Sequence, residues 1–234
     1  MRPFTFINVA VTADGKMDTY ERRGAAISSA ADKARVDQLR AESDAVMVGG
    51  KTLIDEDPKL TVKNEALRAE RVARGLTPNP IKVGIVTNAD RLAEGDFLNF
   101  GLARVVIFTT DKTSKAQVEF LRSRNVEVYV HHAERVDLIK ALHMLHELGV
   151  KRLMVEGGGT LNFELLRLGL VDELTMYIAP MIFGGESAPT AAAGAGLIRS
   201  EAVPLKLVAS EVHPDGGVVL KYSVERDSIS PNVR

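Results

Sequence analysis

The sequence predicts an α/β fold: one domain with a mostly parallel central sheet, a C-terminal antiparallel hairpin and helices on both faces. Three observations carry this. Apolar runs of strand length alternate with stretches of helical period through most of the chain. Residues 152–162, Arg-Leu-Met-Val-Glu-Gly-Gly-Gly-Thr-Leu-Asn, join a strand to a helix through a carboxylate and three glycines. Near the end, Pro214-Asp215-Gly216-Gly217 separates two strand-like runs, a strong hairpin signal.

Residues 4–11 read as a buried strand, followed by a turn at Asp14-Gly15. Ser29 and Asp32 make a capping pair for a helix that runs to residue 41. Residues 45–48 form a short strand ended by Gly49-Gly50. The charged stretch 64–75 is a surface helix or a mobile connection, closed by Asn79-Pro80. Residues 81–86 and 105–108 are further short strands, 114–123 are helical and 126–130 are a strand. Residues 137–148 place Leu138, Ala141, Leu142, Leu145 and Leu148 on one stripe, as an amphipathic helix does. A strand over 153–155 leads into the glycines, and a helix over 161–168 ends at Gly169. Residues 173–179 are a strand stopped by Pro180; 205–212 and 217–225 are the hairpin arms. The apolar run 176–183 fits core and subunit interface equally. No linker composition marks a boundary, so residues 1–225 read as one domain and 226–234 as a polar, frayed tail.

The chain has 234 residues, 45% of them hydrophobic, and a formal net charge of −1. That suffices for a full core and argues against a nucleic-acid binder, which carries a basic surface. Residues 3–11 are apolar but too short to span a bilayer and lack the pattern of a signal peptide, so a cytoplasmic location is expected. The absence of cysteine excludes disulfides, thiolate zinc sites and a cysteine nucleophile.

Several motifs bear on chemistry. At residues 156–160 the strand-to-helix turn aims backbone N–H groups outward, and glycines let an anion such as a phosphate approach; a plain connector reads the same way. Gly49-Gly50-Lys51-Thr52 looks like the end of a phosphate-binding P-loop, but its first glycine position is Ala45 and residues 46–48 read as strand. Asp55-Glu56-Asp57-Pro58 reads as a solvated acidic turn, with a magnesium site as the alternative. His143 and His146 fall off the apolar stripe of their helix, and His213 reads as exposed before the hairpin. No serine sits in a G-x-S-x-G elbow. The glycines at 157–159 do not fit the Rossmann G-x-G-x-x-G pattern, because Asn162 holds its sixth position.

Five segments in order resemble the riboflavin-pathway reductases, above all their stand-alone archaeal type. They are Asn8-Val9-Ala10-Val11-Thr12-Ala13-Asp14-Gly15-Lys16, then Leu39-Arg40-Ala41, then Val48-Gly49-Gly50-Lys51-Thr52 with Asp57-Pro58-Lys59-Leu60-Thr61-Val62, then Glu156 to Thr160, and Ala179 to Gly185. The likeness covers the chain to about residue 225. It implies a dihydrofolate-reductase-like fold, NADPH as cofactor and a homodimer. Bacterial relatives carry a fused zinc deaminase, which needs cysteines; this chain has none and is expected to be the reductase part alone.

Carried over by position, the resemblance puts NADPH against Ala10, Thr52, Glu56, Thr87, Asn88, Gly158, Gly159, Thr160 and Leu161. The substrate, a pyrimidine ribosyl phosphate, would meet Asn8, Arg40, Leu60, Lys63 and Glu156. Lys16, Asp57 and Glu156 are the candidate catalytic groups, and no metal is implied. Glu56 stands where the family often has Asp, and Lys63 where bacterial relatives often have Arg, which removes a bidentate phosphate contact. The implied reaction reduces a ribosylamine to a ribitylamine through a ring-opened imine. A carboxylate, Asp57 or Glu156, would steady the cationic carbon, and Lys16 is either a proton donor or a solvated turn lysine. Reduction of the deaminated pyrimidine, or of dihydrofolate or a pterin, and a non-catalytic nucleotide-binding module are the alternatives. Arg40 and Lys63, as phosphate ligands, argue against dihydrofolate. No acid follows residue 86 until Asp90, which disfavours a reader of the ribose diol, and Arg91 can meet a 2′-phosphate.

Overall fold

A computed structural model describes residues 1–225; the polar tail read from the sequence lies outside the described residues. The elements run β1 (Phe4–Thr12), α1 (Ala30–Glu42), β2 (Ala45–Gly49), α2 (Gly50–Glu56), α3 (Glu65–Ala73), β3 (Ile81–Ile85), α4 (Asp96–Asn99), β4 (Val105–Thr110) and α5 (Lys115–Ser123). They continue with β5 (Glu127–His131), α6 (Leu138–Glu147), β6 (Arg152–Val155), α7 (Gly159–Arg167), β7 (Glu173–Ala179), a short 3₁₀ turn, β8 (Leu205–Val212) and β9 (Val218–Val224).

The chain packs as two compact units. One holds Met1–Pro3 and Val36–Met154; the other holds Phe4–Arg35 and the chain from Val155 onward. Of the three breaks, one falls just before β1 and the other two inside elements, α1 and β6, so no linker composition could mark them.

In the first unit the strands lie in the order β5-β4-β3-β2-β6. β2, β3, β4 and β5 pair in parallel. Every residue of β2 and β4 is buried, as continuous apolar runs of a parallel sheet are. Three helices of this unit begin at side-chain caps. Ser114 accepts from Gln117 N at 3.2 Å, Asp137 from Lys140 N at 3.0 Å, and Asn64 from Ala66 N at 2.8 Å, so the stretch after residue 64 is a helix.

In the second unit the order is β1-β7-β9-β8. β1 and β7 are parallel, and the hairpin β8–β9 adds to β7 antiparallel. β7 pairs on both edges and is core; past it, Met181 and Ile182 emerge as exposed residues.

Two expectations are corrected. The run Asp55-Glu56-Asp57 is not a loop: Gly50 starts a helix that ends at Glu56. An added Cβ on Gly50 would lie 3.0 Å from the Val86 side chain, so the glycine lets this helix start against the end of β3. His213 is 7% exposed rather than solvated, because the hairpin folds its ring onto Tyr177, 5.8 Å between centroids. Among the described residues no helix is long and apolar enough to cross a membrane.

Candidate active site

In the first unit the expected site residues cluster around the end of α2 and the segment after it. Thr52 is half-buried on α2, and Glu56 is exposed at its last turn. Asp57 follows in the left-handed region, φ 44°, and Leu60 repeats this at φ 48°. Each such non-glycine residue costs on the order of 1 kcal/mol, so the segment must be held from outside. The Asp57 carboxylate accepts two backbone N–H groups, from Asp96 at 2.6 Å and Phe97 at 2.8 Å. Asp55 pairs with Arg91 at 3.6 Å. The three acids therefore do not converge on one point for a metal ion.

The next residues have no regular structure, yet their backbone is satisfied by side chains. Arg40 on α1 donates to Thr61 O at 3.0 Å. Asn79 accepts from Val62 N at 2.9 Å. Asp37 accepts from both Lys63 N at 2.6 Å and Asn64 N at 2.7 Å. Arg68 donates to Val62 O and Lys63 O. The Lys63 side chain is left exposed at the surface of this built loop. Leu60, by contrast, is 1% exposed, so its side chain is core and only its backbone can meet a ligand.

Thr87 and Asn88 stand at the carboxyl end of β3, where open parallel sheets bind ligands. The turn is fixed against the end of β4: Thr110 Oγ1 donates to Thr87 O at 2.7 Å, and Ala89 N to Thr113 Oγ1 at 2.9 Å. Asp90 Oδ1 accepts from Ser114 N and Oγ at 2.9 and 2.8 Å, and these bonds hold its pKa below the usual value.

In the second unit Asn8 and Ala10 share one face of β1. Asn8 is 7% exposed and its Oδ1 accepts no hydrogen bond within the protein. Lys16 closes the turn after β1: its N–H meets Thr12 Oγ1 at 3.0 Å, and its backbone bridges Thr190. Asp14 beside it accepts from Thr12 Oγ1 at 2.6 Å, which lowers its pKa, and from Gly184 N at 2.8 Å. Glu156 is half-buried just past β6. Gly157 and Gly158 take positive φ, 101° and 56°, and Gly158 caps α7 without a side chain. Thr160 is exposed in the first turn, and Leu161 is buried.

Gly159 has a different reason from the one the sequence suggested. A Cβ there would lie 2.4 Å from Thr190 O, so its bareness serves the chain itself. Ala193 N donates to Gly159 O at 2.9 Å, and Asn162 Nδ2 to Ala191 O at 2.8 Å. The Ala/Gly-rich segment 187–196 thus lies against the start of α7 and, through Thr190, against Lys16.

Residues 3–219 match the RibD C-terminal domain family. The chain belongs to that family. The relative from Archaeoglobus fulgidus, named 2,5-diamino-6-ribosylamino-4(3H)-pyrimidinone 5′-phosphate reductase, is 40% identical over 199 residues, 85% of this chain and 90% of its own. A protein of the same name from Methanothermobacter thermautotrophicus is 38% identical over 226 residues, 96% of this chain and all of its own (100%). The solved pyrimidine reductase-like protein of Corynebacterium diphtheriae shares the fold, with TM-score 0.77 at 23% identity, covering 96% of this chain and 93% of that one.

Beside the positions carried over from the resemblance, this RibD C-terminal domain has supports that sequence reading missed. Asp37, Arg68 and Asn79 fix the loop from 26, 5 and 17 residues away. Nothing local in the sequence marks such reach. The segment 187–196 did carry a signal, its run of small residues, which here means close backbone approach.

Proposed function

We propose that the protein reduces 2,5-diamino-6-ribosylamino-4(3H)-pyrimidinone 5′-phosphate to its ribitylamino counterpart with NADPH, in riboflavin biosynthesis. One observation carries the reading: two archaeal proteins named for this activity are 40% and 38% identical over nearly their whole length. NADPH, when bound, supplies a hydride for C1′ of the ring-opened imine.

The residues fit such a cofactor. The start of α7, capped by Gly158 with no side chain, suits a pyrophosphate met by backbone N–H groups, with Gly158, Gly159, Thr160 and Leu161 as the proposed set. Thr87 and Asn88 offer a rigid strand end for the adenosine part, and Ala10, Thr52 and Glu56 complete the proposed set. Asp90 is engaged by Ser114, which supports NADPH over NADH, since a ribose diol would ask for an uncommitted carboxylate there.

For the substrate we assign Arg40 and Lys63 to the phosphate, Leu60 through its backbone, and Asn8 and Glu156 to the pyrimidine and sugar. The buried Asn8 Oδ1 supports this, because an acceptor left without a partner inside the protein suits a donor on a ligand. We assign the steadying of the imine carbon to Glu156, just past β6; both Asp57 oxygens hold backbone N–H groups, which argues against Asp57 in that role. Lys16 is the proposed proton donor to the opening ring oxygen. The protein acts as a cytoplasmic homodimer. Support comes from β8, an edge strand exposed along all eight residues, with Leu207 and Val212 at 52% and 75%. A monomer by light scattering would refute the dimer.

The test of function is NADPH oxidation with the aminated compound, its deaminated counterpart and dihydrofolate. The reading expects turnover highest with the aminated compound. Preference for the deaminated one would move the enzyme to the other order of steps, and turnover of dihydrofolate alone would refute the substrate.

A further inference from the structure

α4 is a single turn of four residues that cannot stand by itself in water. It is pinned at both ends by charges from distant parts of the first unit. At its start, Gly95 offers no side-chain cap, and Asp57 takes the N–H groups of Asp96 and Phe97. At its end, the Lys82 ammonium donates to Asp96 O at 3.1 Å, Phe97 O at 2.9 Å and Phe100 O at 2.8 Å. All three ammonium protons are used, and Lys82 is 1% exposed on the fully paired strand β3. The signs suit a helix, with the anion at its N-terminus and the cation at its C-terminus.

The neighbouring contacts run the same way. A Cβ on Gly95 would lie 2.2 Å from Asp57 Oδ2, so the carboxylate approaches only because that position is bare. Lys59 lies 3.6 Å from Asp96 Oδ2 and 4.1 Å from the centre of the Phe100 ring. A Cβ on Gly101 would lie 3.0 Å from the Thr61 side chain. The segment that carries two left-handed residues, Asp57 and Leu60, therefore rests on the block 95–101 along its length.

We infer that Asp57 and Lys82 are a pair of positioning residues: through α4 they hold the loop 57–63 in the conformation that presents Leu60 and Lys63. Asp57 then acts on the loop rather than on the reacting carbon, and Lys82 acts without reaching any ligand. The inference deepens the substrate reading above and rests on it for its kinetic arm only.

The experiment is a double-mutant cycle on the full chain with D57N, K82M and both together, read by kinetics and by amide hydrogen exchange without ligand. Asparagine can accept only one of the two N–H groups, and methionine keeps the lysine's bulk without its donors. Each single variant should raise KM for the pyrimidine phosphate about tenfold and change kcat by less than about threefold, with the double no worse than the poorer single. K82R, which can still donate to the carbonyls, should restore most of the loss. In the exchange arm, Asp96 and Phe97 N–H should lose protection in both single variants while β3 and β4 keep theirs. Collapse of kcat in D57N beside a near-normal K82M would overturn the inference and make Asp57 a catalytic group. Unchanged protection at Asp96 and Phe97 in K82M would also overturn it, whatever the substrate proves to be. If K82M does not fold, D57N and K82R decide by the same two readouts.

Discussion

Two irregular segments of this chain are held by different balances of the same two means, side-chain hydrogen bonds and close packing on bare glycines. The loop 57–64 in the first unit is gripped by side chains: Asp37, Arg40, Arg68 and Asn79 each bond its backbone. The segment 187–196 in the second unit takes side-chain bonds from Arg22 and Asn162 and is seated by close approach, with Gly159 bare against Thr190 O and Gly194 bare against the Phe163 ring. The first arrangement depends chiefly on polar groups being present, and the second chiefly on side chains being absent at Gly159 and Gly194. The two should therefore break differently, the first by deletion of an acceptor or donor and the second by addition of one methyl group.

The largest effect belongs to the second. Gly159→Ala places a Cβ 2.4 Å from a carbonyl oxygen that cannot swing away. It should cost about 3 kcal/mol, a fall of roughly 6–12 °C in melting temperature by calorimetry. A melting point like the parent's would mean that the segment yields easily and that the contrast is false.

Next comes Asp37→Asn, which leaves one of the Lys63 and Asn64 N–H groups facing an amide donor. It should cost about 1–3 kcal/mol in chemical denaturation and raise KM for the substrate, with KM for NADPH little changed. Equal losses on both ligands would show that the loop does not serve the substrate alone.

The legibility of the fold follows the same contrast. Short-range physics was readable: Ser29 and Asp32 announced α1, where Asp32 N donates to Ser29 Oγ at 3.1 Å, and Pro214-Asp215-Gly216-Gly217 its hairpin, where Asp215 accepts from Gly217 N at 2.7 Å. Long-range support was not. Asp37 looks like any polar helix residue until residues 63 and 64 arrive beside it. α4 has too little length to show a period, and its anchors are 39 and 14 residues away. The acids at 55–57 read as a turn because the helix before them begins with glycine. For the site, five ordered motifs carried the family, but Leu60 and Gly159 turned out to face the protein itself.

A prediction on pH sharpens the first region. Burial lowers the pKa of Lys82 from 10.5 to about 8. Between those values the unfolded chain binds a proton that the folded one has released, so this group makes stability rise with pH from about 8 to 10.5 and lose that gain as pH falls through 8. Against K82M, the parent's denaturation midpoint should gain over that window. A flat difference would place the ammonium among its three carbonyls with no net burial penalty.

The most direct test of the central claim is isotopic. The protein is given the aminated ribosylaminopyrimidine phosphate with NADPH deuterated at C4 on one face or the other, and the product is read by mass spectrometry and NMR. One of the two cofactors should deliver a single deuterium to C1′ of the ribityl chain. Product without deuterium at C1′ from either cofactor would contradict hydride transfer to the opened sugar, and with it the reductase account.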